Sequence, residues 1–271
     1  KATGSFCTPR VVVDRMVDQA LLVHLENKPA LTPSPSPKER GAISTEQLKQ
    51  LLSWDEGPEL TAKQCDAVVT AVSSIKAIDP ACGSGAFLMG LLQKLVHVLS
   101  KVDGDNARWK KLQTDAIRRM PSSPAQAAAL EAIEKAFARD NDDYGRKLYL
   151  IENGIYGVDI QPIAVQIAKL RFFISLIVDQ AIDHKKRANN YGILALPNLE
   201  TQIVAANSLI RLEAELTLVT DESLELEAAL RNVRHEYFTA RKYSEKKRLR
   251  KRDEELREQL ADELVATGGF S

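Results

Sequence analysis

Asp79-Pro80-Ala81-Cys82-Gly83-Ser84-Gly85-Ala86-Phe87-Leu88 follows a short β-like run, Ser74-Ile75-Lys76-Ala77-Ile78, and opens an apolar segment, Ala86 to Leu99, that reads as a helix. A strand that ends on an acid, then a glycine-rich turn, then a helix, brings backbone N–H groups and a helix N-terminus up against a ligand. Gly83 and Gly85 lack a Cβ, so a ligand can lie directly on the turn. Asp79 is placed to attract a positively charged or hydroxyl-bearing part of it. A tight strand-to-helix turn with no ligand is the plain alternative. The Asp-Pro before the turn and the Ser between the glycines weigh against it. Two other glycine loops are excluded, because neither GxGxxG nor GxxxxGK[ST] is present. Without that lysine, and with Asp79 alongside, the loop is a poor cradle for a triphosphate.

Three further segments bear on the same site. Gly4-Ser5-Phe6-Cys7-Thr8-Pro9-Arg10 leads into Val11-Val12-Val13-Asp14-Arg15-Met16-Val17, an amphipathic helix start with Thr8 as N-cap and Pro9 in the first turn. Ile155-Tyr156-Gly157-Val158-Asp159-Ile160-Gln161-Pro162 runs from apolar residues to an acid, and a helix starts at Pro162. An acid at the carboxyl edge of a second strand can accept both ribose hydroxyls of an adenosine group. A surface Asp that caps the next helix is the bland reading. Asp159 follows the loop by about 80 residues instead of about 20, and a helical insertion fills the interval. Ile203-Val204-Ala205-Ala206-Asn207-Ser208-Leu209 reads as a short third strand that ends in a small polar pair. Asn207 can offer its side-chain oxygen to an amino group, although an Asn closing a strand is commonly a turn residue.

Residues 79–88 resemble motif I of the S-adenosylmethionine-dependent DNA adenine-N6 methyltransferases, in the branch found in type IIG restriction-modification enzymes and bacteriophage-exclusion methylases. Gly157-Val158-Asp159-Ile160-Gln161-Pro162 has the form of that family's motif II, Gly-x-Asp/Glu-Ile-x-Pro. The first segment is similar to its Gly-x-Tyr-Tyr-Thr-Pro, with Phe6 and Cys7 where two aromatics are usual. The resemblance implies S-adenosyl-L-methionine as cofactor. Thr8 and Pro9 would lie at its methionine end. Asp79, Pro80, Ala81, Gly83, Ser84 and Gly85 would lie under its middle. Asp159 would hold the ribose, Ile160 would pack on the adenine face, and Asn207 would reach the adenine amino group. It implies an α/β fold, a Rossmann-like class I methyltransferase core with a partial sheet, large helical insertions and a long charged helical hairpin at the C-terminus. No metal is implied.

That family also carries Asn/Asp-Pro-Pro-Tyr/Phe after a fourth strand, where it binds the target amino group. No Pro-Pro dipeptide occurs in the chain. Leu196-Pro197-Asn198-Leu199 has the wrong order and precedes the third strand. The chain opens on Lys1 and closes on Ala266-Thr267-Gly268-Gly269-Phe270-Ser271. The expectation is a fragment without its catalytic motif, inactive alone, with no catalytic residue to assign. Double-stranded DNA would be bound through parts of the parent protein mostly absent here, to which a restriction endonuclease could be fused. Two other readings stand beside this one. The first is a methyltransferase of RNA, protein or a small molecule. The second is a non-catalytic helical scaffold that reuses the fold.

Composition fits a soluble cytoplasmic protein, with 44% apolar and 27% charged residues. No stretch approaches the ~20 apolar residues of a membrane span. Cys7, Cys65 and Cys82 show neither disulfide nor zinc spacing, and His24, His97, His184 and His235 are isolated. Cys82 reads as a small apolar filler of the turn rather than a nucleophile. Lys and Arg total 37 against 37 Asp and Glu, and that neutrality argues against a self-sufficient DNA-binding domain.

The organisation read from the sequence has four parts. Residues 1–26 form a cofactor-contacting helix. Residues 27–74 hold a Pro/Ser-rich loop and two helices, Ser44 to Trp54 and Thr61 to Val72. Residues 75–210 form the cofactor-binding core, with a helical insertion at 101–148. Residues 211–271 form the charged hairpin. In the insertion, Pro121 and Pro124 break the helical pattern, Ala127 to Ala138 is a strong helix, and residues 140–143 make an acidic turn. Pro162 to Ala181 reads as an apolar helix on the sheet. In the hairpin, Leu224, Leu226, Leu230 and Val233 form one stripe, and Leu249, Leu256, Leu260 and Leu264 another. Its basic run, Arg241 to Arg252, reads as a solvated helix face. A phosphate-backbone contact and a coiled-coil partner surface through residues 212–264 are the alternatives.

Overall fold

The computed structural model describes residues 8–28, 31, 43–119, 124–137, 142–180, 184–185, 187, 191, 193, 197–209, 220–240 and 243–266. Its elements run α1 (Arg10–Glu26), α2 (Thr45–Leu52), α3 (Ala62–Ser73), β1 (Ala77–Asp79), α4 (Ala86–Val102), α5 (Ala107–Arg118), α6 (Pro124–Phe137), α7 (Asp142–Gly154), β2 (Ile155–Asp159), α8 (Pro162–Ile177), β3 (Ile203–Ala205), α9 (Asp221–Thr239) and α10 (Tyr243–Ala266). These residues are mostly helical and surround a three-stranded parallel sheet of order β1-β2-β3. Residues 4–7 of the first motif, most of the proline-rich stretch, Leu212 at the start of the hairpin segment and the first two residues of the basic run lie outside the described residues.

The sheet register places the site. Ala77 pairs with Ile155 and Asp79 with Gly157, while Gly157 pairs with Ile203 and Asp159 with Ala205. β2 therefore outruns β1 by two residues, and Asp159 projects past the level at which the chain leaves β1. All three strands end at the same edge, where a parallel sheet presents its loops to a ligand.

Local chemistry explains the starts of α2 and α3. Ser44 with Gln47, and Thr61 with Gln64, form capping boxes that satisfy first-turn amides. α1 departs from expectation. Pro9, not Thr8, holds the N-cap position, and no side chain caps the helix. The Pro9 backbone is extended at ψ 142, and its carbonyl accepts from the Val12 and Val13 amides. Thr8 thus lies one residue outside the helix, and a residue before proline is itself biased to extended backbone.

α4 is the central helix. Leu92 and Leu99 are fully buried on it, and α1 lays Val13, Val17, Leu21 and Leu25 against it. The crossing is close, because a Cβ on Gly90 would stand 2.5 Å from Val13 Cγ1. The buried Lys94 ammonium ion-pairs with Asp18 at 2.9 Å, donates to the Leu52 carbonyl at 2.7 Å and lies 3.9 Å from the Trp54 ring centre. One cation thus ties α4 to α1 and α2 together.

The insertion is more ordered than its sequence suggests. The buried Asp103 carboxylate accepts from the Arg108 and Trp109 amides at 3.0 and 2.8 Å. Arg146, also buried, donates to the Asp103 carbonyl. α7 was not legible, since the Asp/Asn cluster and Gly145 signal a turn. Burial of Tyr144, Leu150 and Ile151 overrides that propensity, and α7 runs straight into β2. α8 packs on the sheet as expected, through one of its faces. Val165, Ala168, Phe172 and Leu176 are buried, while Ile163, Ile167, Leu170, Ile174 and Ile177 form a second apolar stripe that is exposed.

The hairpin forms as expected, with its stripes shifted. Leu224 is exposed; Leu230 and Tyr237 on α9, with Leu249 and Leu256 on α10, are buried. Arg234 pairs with Asp253 at 2.8 Å, and Thr220 Oγ1 donates to Glu263 Oε1 at 2.8 Å. The two helices satisfy each other within the chain. Two contacts fasten them to the core. The Asn198 amide, buried, donates to the Tyr237 and Ala240 carbonyls at the end of α9. His235 Nδ1 lies 2.5 Å from Glu152 Oε1 on α7.

Two outcomes follow from this packing. Gly90→Ala gains helix propensity of about 1 kcal/mol but overpacks the α1–α4 crossing by about 1–3 kcal/mol, so urea denaturation should show a net loss. Adding Val13→Ala should make the glycine replacement neutral or favourable. The hydrogen bond that His235 donates to Glu152 raises the His235 pKa above its ordinary value, with burial opposing. A raised folded pKa means that the pair stabilises fully below the unfolded value of about 6.5 and that this contribution is lost as pH rises through the folded value. The unfolding midpoint should therefore fall over that window, and His235→Gln should flatten the fall.

Candidate functional site

The turn after β1 is stitched to β2 by backbone and by one carboxylate. The Cys82 amide donates to the Val158 carbonyl at 2.9 Å, and the Gly85 amide closes the turn onto the Cys82 carbonyl at 2.8 Å. The Gly83 amide donates to Asp159 Oδ2 at 2.8 Å across 76 residues of chain. The other oxygen, Asp159 Oδ1, accepts from the Gln161 amide at 2.8 Å. The glycine loop and the acid, distant in sequence, are in direct contact.

The glycines are used as their chemistry requires. Gly83 and Gly85 have φ of +52 and +78, a region that L side chains rarely adopt. A Cβ on Gly83 would meet nothing within 4 Å, so the loop faces open space. A Cβ on Gly157 would stand 2.7 Å from Leu88 Cδ1 and 3.0 Å from Cys82 Sγ. The bare strand at Gly157 lets α4 and the turn sit directly on β2. Cys82 is the buried filler that its sequence suggests. Burial, with Asp79 and Asp159 nearby, pushes its thiol up to about 11.

The remaining expected residues gather at the same edge. Asp79 Oδ1 accepts from the Ala81 amide at 3.1 Å and shapes the start of the turn. Ser208 Oγ donates to the Pro80 carbonyl at 2.7 Å, which holds the end of β3 to the glycine turn. Ile160 is 67% exposed beside Asp159 and presents an apolar face there. Thr8 shares a cavity of about 170 Å³ with Ala86, Met89, Gln93 and Arg171, so the N-terminal segment does reach the first turns of α4. Asn207 is exposed, and its Oδ1 accepts from the Leu209 amide at 3.0 Å. That is the turn geometry its residue type favours.

Two participants escaped the sequence reading. Ser208 was seen only as one of a small polar pair. Arg171 donates from Nη1 to the Ser84 carbonyl at 2.9 Å and braces the turn from α8. Its signal was a charge inside an otherwise apolar helix.

The residues fit an adenosylmethionine-type ligand. There is open space over Gly83, an acid at the end of each of two adjacent strands, and an exposed aliphatic side chain next to the second acid. Each Asp159 oxygen accepts one amide and retains a lone pair for a hydroxyl. Among the described residues no group of His, Cys, Asp and Glu could hold a metal ion.

Residues 153–270, from β2 through the hairpin, match the family of Eco57I restriction-modification methylases. That match covers less than half of the chain. A protein of Methanocaldococcus jannaschii, provisionally named a type II restriction enzyme and methyltransferase, is 29% identical over 168 residues. That alignment covers 62% of this chain and 11% of the relative, so the chain spans about a tenth of that protein's length. No solved structure matches the chain. Among the described residues, no helix is long and apolar enough to cross a membrane.

The burial of Cys82 sets an outcome for chemical labelling. With native protein at pH 8, iodoacetamide should modify Cys65, which is half-buried, well before Cys82. Equal rates, read by peptide mass mapping, would contradict the packed turn.

Proposed function

We propose that this chain is the cofactor-binding part of a DNA adenine-N6 methyltransferase from a restriction-modification or phage-defence system. The observation that carries the reading is the contact between the Gly83 amide and the Asp159 carboxylate. It joins the loop that would lie under the middle of the cofactor to the acid that would hold its ribose. S-adenosyl-L-methionine would lie along the carboxyl edge of β1, β2 and β3. Bound there, it supplies an electrophilic methyl group.

The chain's own residues bind and orient. Gly83 and Gly85 give a floor without side chains at those two positions, and the N-terminus of α4 adds backbone amides. Asp79 faces the charged middle of the ligand. Asp159 accepts the ribose hydroxyls with its free lone pairs and keeps the loop in place with the others. Ile160 covers one face of the adenine. Thr8 and Pro9 line the methionine end, near Arg171. Asn207 contributes to the adenine amino group only if its oxygen leaves the Leu209 amide, so its share is the smallest. The acceptors for the target amino group would come from segments of a longer protein, because no Asn/Asp-Pro-Pro-Tyr/Phe occurs in these residues. This chain alone would bind cofactor without turning over DNA, and double-stranded DNA would be gripped by those other segments.

Isothermal titration with S-adenosylmethionine should give one site per chain. Asp159→Ala should weaken it by tenfold or more, since hydrogen bonds to a charged group are worth about 1.5–3 kcal/mol. Asn207→Ala should change it by less than about threefold. The Cys82 labelling rate tells whether the loop survives in Asp159→Ala. An intact loop with undiminished affinity, or no binding by the wild-type chain, would refute the assignment.

A further inference from the structure

A second cavity lies at the opposite edge of the sheet. It measures about 470 Å³ and is lined by Lys76, Glu152, Asn153, Tyr156, Thr201, Gln202, Arg231, Arg234 and His235. Lys76 precedes β1, Tyr156 lies early in β2, and Gln202 precedes β3, so this is the amino edge of the strands. α9 closes it with two arginines and a histidine one turn apart.

The lining is short of negative charge. Lys76, Arg231 and Arg234 are basic side chains, and Glu152 is the single carboxylate among the lining residues. Glu152 is already engaged by His235. Arg231 pairs with Glu227 only through an exposed contact one helical turn away, at 3.2 Å, and such pairs hold weakly. Arg234 shares Asp253 with Arg257. Among the described residues no carboxylate lies within ion-pairing distance of Lys76, which donates to the Asn153 carbonyl. Burial, and then the charge of Arg231, lower its pKa. Arg231 and Arg234 thus have their carboxylates outside the cavity, Lys76 has a carbonyl, and all three cations line one space.

We propose that this cavity is a phosphate-binding site, separate from the glycine loop. A phosphate group offers several oxygens at once, and guanidinium forks bind them bidentately. The volume exceeds what one phosphate needs and falls in the range of small-ligand pockets. The phosphate would therefore arrive as part of a nucleotide or of a nucleic-acid backbone. The inference does not depend on cofactor binding at the glycine loop.

The test titrates the chain with inorganic phosphate, adenosine monophosphate and a short DNA duplex at matched ionic strength. Binding is followed by ³¹P line broadening and calorimetry. The comparison is the double variant Lys76→Gln/Arg231→Gln, whose side chains are exposed and whose folding is checked by circular dichroism. Phosphate affinity should fall roughly tenfold or more in the variant, with Asp159→Ala leaving it unchanged. Adenosine monophosphate binding more tightly than inorganic phosphate identifies a nucleotide site. Duplex binding whose salt dependence drops by about two contacts in the variant identifies the nucleic-acid backbone. Failure of all three probes to bind, or equal binding by wild type and variant, overturns the proposal.

Discussion

One carboxylate holds the site together. Asp159 accepts an amide from the turn after β1 and an amide from the turn after β2, and its own carbonyl accepts the Ala206 amide beyond β3. Three strand ends thus converge on a single residue. Charge-assisted bonds to backbone N–H groups are among the stronger hydrogen bonds. They act here on the two turns that carry the glycines and Ile160. The parallel register makes this possible, because β2 extends two residues past β1 and delivers the acid above the turn.

Close approach is the second constraint. Gly157 removes the side chain that would keep α4 and Cys82 off the sheet, and Gly90 removes the one that would keep α1 off α4. The stack of β2, α4 and α1 is therefore tight, and Thr8 arrives beside the first turns of α4. Lys94 reinforces the stack from within. Its ammonium reaches α1 and α2 from the centre of α4.

Much of this was legible because short-range chemistry dictates it. The acids that end β1 and β2, the Gly-Ser-Gly turn and the helix starts at Ser44 and Thr61 are local signals, and they fall where the sequence puts them. The hairpin was legible from its composition, but its stripe was not. Leu224 is apolar and exposed, whereas Tyr237 is aromatic and buried, and only the pairing with α10 decides between them. α7 was hidden by turn-forming residues that tertiary burial overrules. Arg171 and Ser208 act on carbonyls 87 and 128 residues away, distances at which no sequence pattern speaks. The cation-lined cavity was invisible for the same reason, since its lining comes from four separate segments.

The long interval between the glycine turn and Asp159 bears on how such a chain can grow. Lengthening a connection from about 20 residues to one of this size costs only about 1 kcal/mol of closure entropy. The inserted helices recover that through their own burial, with Trp109 and Arg146 both fully enclosed. The strands, not the spacing, locate the acid. A whole helical layer can be added or lost between the two motifs in the history of the chain, while the atoms that meet at Gly83 and Asp159 stay where they are.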